Sequence, residues 1–224
     1  MSTDSLNQFL DFVGTEIDLD EETKVLISQY CRLVKIGKGE LLLNIGEVCK
    51  DVYYIIEGRG ISYFTDFNGK ATTWFFHFNR PGAPVKNLFA VDYRSFLSND
   101  PSAMSIQALT EITAIHFTKR EVGLLVEQST LFESWIRKLN EKSLIMAYDR
   151  IATLLVFSAT ERYQKFLTDE PYLLDMFSNY HIATYLNVTP QSLSRIRTRL
   201  IKAGSDPDRR EKHNLQASRK HLLP

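Results

Sequence analysis

Apolar side chains recur at helical spacing over residues 5–31, where Leu6, Phe9, Leu10 and Val13 form one set and Val25, Leu26, Ile27 and Tyr30 a second. Asp18 and Asp20 stand where they can cap the second set, so the pattern predicts two short helices. From Arg32 to Phe117 it changes to short β-branched and aromatic runs punctuated by Gly, Asn and Pro, the signature of many short strands. The clearest hairpin joins residues 61–67 to 70–78 through Asn68-Gly69, a pair that tolerates positive φ at both positions and predicts a type I′ turn. Beyond Phe117 helical spacing returns. A short helix is expected over residues 119–127, a long one opening near Ser129 or Thr130, and a further one from about Asp149 to Phe166, which Pro171 keeps from continuing. Along the long helix Leu131, Trp135, Leu139, Ile145 and Met146 recur at heptad-like intervals, interrupted by Lys142 and Ser143. Such a stripe packs either on its own domain or on a second subunit.

The 224 residues suffice for one large domain or two small ones, and a hydrophobic fraction of 44% can form a core. Cys31 and Cys49 are the only cysteines, too few for a disulfide framework or a four-thiolate metal site. The opening MSTDSLNQFL lacks a charged start followed by an apolar run, and no stretch approaches the roughly 18 apolar residues of a membrane span. A cytoplasmic protein without a membrane partner is expected.

The formal net charge of zero argues at first against a nucleic-acid partner. Its distribution reverses that impression. Asp4, Asp11, Glu16, Asp18, Asp20, Glu21 and Glu22 make the first segment acidic, whereas beyond Thr189 Arg195, Arg197, Arg199, Lys202, Arg209, Arg210, Lys212, Arg219 and Lys220 face only Asp206, Asp208 and Glu211. The asymmetry points to an anionic partner at one end, beside the plainer reading of a solvated basic tail.

The motif next to that tail is the sharpest in the chain: residues 180–200, YHIATYLNVTPQSLSRIRTRL. Ile182 and Leu186 share one face of a first helix, and Ala183 is small enough to let a second helix cross closely. Asn187 sits where a tight turn needs a residue tolerant of left-handed geometry. Thr189 suits an N-cap, and Pro190 at the first helical position needs no amide hydrogen. Leu193, Ile196 and Leu200 face the core, which leaves a polar outward face. Arg pairs bidentately with guanine and Gln with adenine. The start of such a helix reaches base edges, so Gln191 and Arg195 are expected to read bases. Thr189, Ser192, Ser194, Arg197 and Arg199 would serve mainly the backbone, with Arg197 alternatively pairing with a carboxylate of the protein itself, and Pro190 belongs to the same DNA-facing set.

This segment resembles the helix-turn-helix of the Crp/Fnr regulators, and YLNVTPQSLSRIR is especially similar to Bacteroidetes members. Residues 42–58, LLNIGEVCKDVYYIIEG, resemble the family's β-roll signature, with one Gly at a turn, an apolar strand and a second Gly opening the next strand. The resemblance implies an α+β fold: a cyclic-nucleotide-binding-like β-roll over 1–128, a dimerising helix over 129–148, a helix-turn-helix domain over 149–204 and a tail over 205–224 expected to be disordered. It implies a homodimeric, sequence-specific transcription regulator that binds an inverted repeat of double-stranded DNA, with RNA polymerase and an unknown small-molecule effector as further partners.

Two departures qualify it. Members that bind cyclic nucleotides carry a Phe-Gly-Glu stretch for the ribose and an Arg-Ser or Arg-Thr pair for the phosphate. Here residues 85–103 contain no Gly-Glu pair, and Pro101 precedes Ser102 where Arg would be needed. A buried phosphate without its Arg loses a charge-assisted contact, which argues against cyclic AMP. Lys86, Arg94 and Ser102 remain candidates for another anion, beside their reading as ordinary surface residues. The second departure follows Gly204, where residues 205–224 show no alternating strand pattern, so the usual β-hairpin wing is expected to be reduced or missing.

Other classes fare worse. A metal-dependent cupin needs a close His pair, a carboxylate and another His. His77 and His116 stand alone in separate strands and are expected to be satisfied structural histidines. No cofactor is expected, although His77, Cys31 or Cys49 could supply an axial ligand to haem. No Gly-x-Ser-x-Gly elbow, phosphate loop or Cys-His arrangement supports an enzyme. A β-roll that binds a small molecule or a protein, with a helical end that has lost DNA, is the remaining alternative.

Overall fold

The computed structural model describes residues 3–204; the expected tail at 205–224, with any wing it holds, lies outside them. The chain divides into two compact units, with the boundary after Ile151. No helix among the described residues is long and apolar enough to cross a membrane.

The first unit opens with α1 (Thr3–Gly14) and α2 (Glu21–Tyr30). Asp20 caps α2, its carboxylate accepting the Thr23 amide at 2.8 Å. Strands β1 (Arg32–Ile36), β2 (Leu41–Leu43), β3 (Asp51–Glu57), β4 (Arg59–Thr65) and β5 (Ala71–Phe78) follow. The expected all-strand run is then interrupted by α3 (Val85–Leu88) and α4 (Tyr93–Ser98), on either side of the two-residue β6 (Phe89–Ala90). Asp92 explains the second interruption, because its carboxylate accepts the Arg94 amide at 3.1 Å and starts a helix in an aromatic-rich stretch. Strands β7 (Met104–Ala108) and β8 (Ile112–Thr118) complete two four-stranded antiparallel sheets, ordered β1-β8-β3-β6 and β2-β7-β4-β5. Tyr54 and Ile55 are neighbours in β3 and both buried, so the first sheet is covered on both faces. On one of them Tyr54 meets Phe9 of α1 with ring centroids 4.9 Å apart.

Glycine is required at the β3–β4 corner. Gly58 has φ +97°, and a Cβ there would lie 2.2 Å from the Glu111 carbonyl oxygen. The β4–β5 hairpin is not the expected type I′ turn: Gly69 alone takes positive φ, at +78°, and Asn68 does not. The Asp66 carboxylate accepts the Asn68 and Lys70 amides, both at 2.9 Å, and so builds a turn followed by a left-handed glycine.

α5 (Lys119–Gln128) carries a full capping box between Thr118 and Glu121. α6 runs unbroken from Thr130 to Val156, so the further helix expected from Asp149 opens only at Ala159. The real stop is Ser158, which caps α7 (Ala159–Asp169) in a capping box with Glu161. Of the expected stripe on α6, Trp135 and Leu139 are buried in the chain's own first unit together with Phe132, whereas Ile145 is exposed. Leu144, Tyr148, Ile151 and Leu155, spaced by four, three and four residues, form a second, exposed apolar seam.

α8 (Leu173–Met176), α9 (Asn179–Tyr185) and α10 (Pro190–Gly204) complete the second unit. Its core contains Tyr163, Phe166, Leu173, Ile182, Leu186, Leu193 and Ile196. The buried Tyr185 hydroxyl donates to the Glu170 carboxylate at 2.8 Å, and Arg162 Nε donates to the Leu186 carbonyl at 2.8 Å. These bonds tie α7 to the end of α9.

Candidate functional site

The turn between α9 and α10 forms as its residues require. Ser178 caps α9, its hydroxyl accepting the His181 amide at 3.3 Å. Asn187 takes φ +52°, and the next amide, of Val188, returns to the Ala183 carbonyl at 2.9 Å. The Thr189 hydroxyl then accepts the Ser192 amide at 3.1 Å, and Pro190 opens α10 without an amide to satisfy.

Leu193 and Ile196 bury one face of α10. On the other, Gln191, Ser194, Arg195, Thr198 and Arg199 are exposed. Ser192 is half-buried, with its hydroxyl 2.9 Å from that of Thr189. Arg195 and Arg199 have no hydrogen-bond or ion-pair partner among the described residues.

Arg197 is placed differently. It turns inward, donating from Nε to the Tyr163 hydroxyl at 3.1 Å and from Nη1 to the Asn179 amide oxygen at 2.7 Å. Its guanidinium also stands 5.5 Å from the centre of the Tyr163 ring. The alternative of an internal partner therefore describes its environment, but the partners are a phenol and an amide instead of a carboxylate.

The first unit does not assemble Lys86, Arg94 and Ser102 into a phosphate cradle. The exposed Arg94 donates to the Pro101 carbonyl and to the Asp100 carboxylate, both at 3.2 Å. Ser102 is buried and donates at 2.7 Å to Asp92, the carboxylate that caps α4. Lys86 and Arg94 do border one cavity of about 480 Å³, together with Asp92. An anion there would meet that carboxylate.

The two histidines differ. His116 lies 2.7 Å from the Asp51 carboxylate and stacks on Tyr53, a satisfied structural residue as expected. His77 is not. It is only 2% exposed, and its ring nitrogens make at most weak hydrogen bonds, to the backbone of Phe89 and Lys86. Burial pulls its pKa down to about 4, against a weaker upward pull from the backbone of Phe89 and Lys86. It borders the same cavity, and sequence reasoning missed this because burial beside a cavity leaves no local signal. Cys31 and Cys49 are buried and border none of that space; burial pushes the Cys31 thiol up to about 11 and the Cys49 thiol upward as well. No group of three or more metal-ligating side chains occurs among the described residues.

No protein-family model and no curated protein matches the chain. Solved structures do. FixK2 from Bradyrhizobium japonicum superposes with a TM-score of 0.64 at 18% identity, covering 78% of this chain and 86% of its own. A transcriptional regulator assigned to the Crp/Fnr family from Eubacterium rectale gives 0.62 at 15% identity, covering 83% and 86%. The fold is that of the Crp/Fnr regulators. CLP from Xanthomonas campestris, a c-di-GMP-responsive global regulator, has it too, with a TM-score of 0.61 at 13% identity over 83% of this chain and 93% of its own. At these identities the Crp/Fnr likeness is one of architecture, a mixed α+β chain with an antiparallel roll, a long helix and a helix-turn-helix.

Proposed function

We propose that this protein is a cytoplasmic, homodimeric, sequence-specific DNA-binding transcription regulator, whose β-roll receives a signal other than a cyclic nucleotide. The observation that carries the reading is the two-sided character of α10. Leu193 and Ile196 fix one face in the core, and the opposite face presents Gln191 and Arg195 near the helix start with Ser194, Thr198 and Arg199 beside them. In this reading Gln191 and Arg195 meet base edges in the major groove, and Thr189, Ser192, Ser194 and Arg199 meet phosphates. Arg197 acts from inside, holding the helix.

The exposed seam of Leu144, Tyr148, Ile151 and Leu155 on α6 has the four-three spacing of a two-stranded coiled coil and supports the dimer. A dimer sets two recognition helices about 34 Å apart and so favours an inverted repeat. Cyclic nucleotides are disfavoured because Ser102 is spent on Asp92 and Arg94 on its own loop.

Fluorescence anisotropy of the purified protein on a labelled mixed-sequence duplex, across a salt series, tests the DNA-binding part. Affinity should fall linearly in log–log form as salt rises, because phosphate contacts release counterions. Absence of binding at low salt by a folded dimer overturns the reading and favours a β-roll sensor without DNA.

A further inference from the structure

The apolar seam on α6 is short. Leu144 and Ile151 take one core position of a heptad, and Tyr148 and Leu155 the other. The next two core positions toward the helix start are Glu141 and Arg137, both exposed and paired with each other at 3.0 Å, so the apolar stretch ends at Leu144. It falls short of the roughly three heptads that mark a self-sufficient coiled coil, and a stable pair needs surface from outside it. Two further exposed apolar side chains adjoin the seam: Leu97 of α4, 62% exposed, and Ile145 of α6, 61% exposed. They adjoin it from opposite flanks. Leu97 lines the same two cavities as Asn140 of α6, whereas Ile145 lines a different one with Lys138 and Lys142.

The heptad that puts Leu144 and Tyr148 at the seam puts Asn140 and Ile145 on its two flanks. In two parallel helices related by a two-fold axis, the flank that closes one heptad faces the opposite flank of the partner's next heptad. Asn140 of one chain therefore stands against Ile145 of the partner subunit, and Leu97, beside Asn140, lies within reach of it. The same relation sets the exposed Glu133 against Lys138 of the partner subunit, opposite charges that agree with this alignment. We infer that Leu97 on the β-roll of each chain packs against Ile145 of the partner subunit, so that the dimer interface passes from the paired α6 helices onto α4. The inference rests on the dimer of the regulator reading, not on DNA binding. Its occupant is a second copy of this chain, because the contact needs an apolar side chain at the flank position that faces α4. It holds the roll of one chain to the helix of the other.

The test makes Leu97→Cys and Ile145→Cys as separate full-length variants, each checked for folding by circular dichroism. Cys31 and Cys49 are buried and react little. The two variants are co-expressed, so that mixed dimers form during folding, and are treated with a short bis-maleimide. A covalent dimer is expected from the co-expressed pair and from neither variant alone, because like residues sit on different sides of the seam. Leu97→Ala should also weaken the dimer about tenfold in sedimentation velocity, the worth of an apolar side chain partly removed from water. A dimer by sedimentation that gives no mixed cross-link, an equal cross-link from Leu97→Cys alone, or a Leu97→Ala dimer as tight as the unaltered one overturns this inference and leaves the regulator reading standing. A chain that stays monomeric overturns the inference together with the dimer. Mixed cross-linking in a protein that binds no DNA supports the contact and sinks the regulator reading alone.

Discussion

Arg197 and Tyr163 join α10 to α7. The guanidinium donates to the phenol oxygen at 3.1 Å and lies 5.5 Å from the ring centre, so one contact combines a charge-assisted hydrogen bond with a cation–π interaction. Arg197→Ala is therefore expected to destabilise the protein by about 1–3 kcal/mol in urea unfolding. Tyr163→Phe, which keeps the ring, should cost less, about 1 kcal/mol, and the double variant should cost less than the sum of the two. Additive losses would mean that the pair is not coupled.

Arg195 and Arg199 should separate when specific and unrelated duplexes are compared. Arg195→Ala is expected to relax preference at one operator position by about 1–3 kcal/mol while sparing unrelated DNA. Arg199→Ala should weaken all sequences together and reduce the salt slope by about one. Uniform losses for both would remove the base-reading role from Arg195.

His77 should leave its mark on the pH dependence of stability. Its folded-state pKa, about 4, lies below the ordinary value of 6.5, so the unfolded chain holds more protons between those values. Stability from this residue is fully present above pH 6.5 and is lost as pH falls toward 4, by on the order of 3 kcal/mol in all. His77→Leu should remove that part of the acid sensitivity. It should also raise stability at pH 7, by about 1 kcal/mol, because a buried and at best weakly hydrogen-bonded polar group is replaced by an apolar one. Urea melts of both proteins from pH 4.5 to 7.5 provide the comparison, and parallel curves would show that His77 does not titrate as its burial requires.

Tyr148 and Leu155 are 67% and 80% exposed, too much apolar surface to leave on a long helix without a partner. Tyr148→Glu with Leu155→Glu should convert the dimer to a monomer in sedimentation velocity without lowering helix content. A monomeric unaltered protein, or a dimer that survives both charges, would place the interface elsewhere.

The sequence was most legible where local chemistry decides the structure. Asn187 takes its left-handed turn, Thr189 caps, and Leu193 and Ile196 bury, because cap, turn and periodicity act within a few residues. It misled where a neighbour changed the outcome. Asp66 reshaped the Asn68-Gly69 turn by accepting two amides, and Asp92 started a helix inside a strand-like run. The α6 boundary moved to Ser158 because residues 149–156 carry no breaker, and the capping box that stops the helix lies beyond them. Arg197 and His77 were legible as residue types but not as environments. Whether an Arg faces solvent or a phenol, and whether a strand His finds a partner, is set by elements distant in the chain.

The central claim, that α10 reads DNA sequence from a dimer, is tested most directly by selecting bound fragments from a random duplex pool with the unaltered protein and with Arg195→Ala, at two salt concentrations. Enrichment of an inverted repeat by the unaltered protein, with loss of preference at one position in each half-site for the variant, is the expected result. Equal recovery of all sequences by a folded, dimeric protein would contradict it.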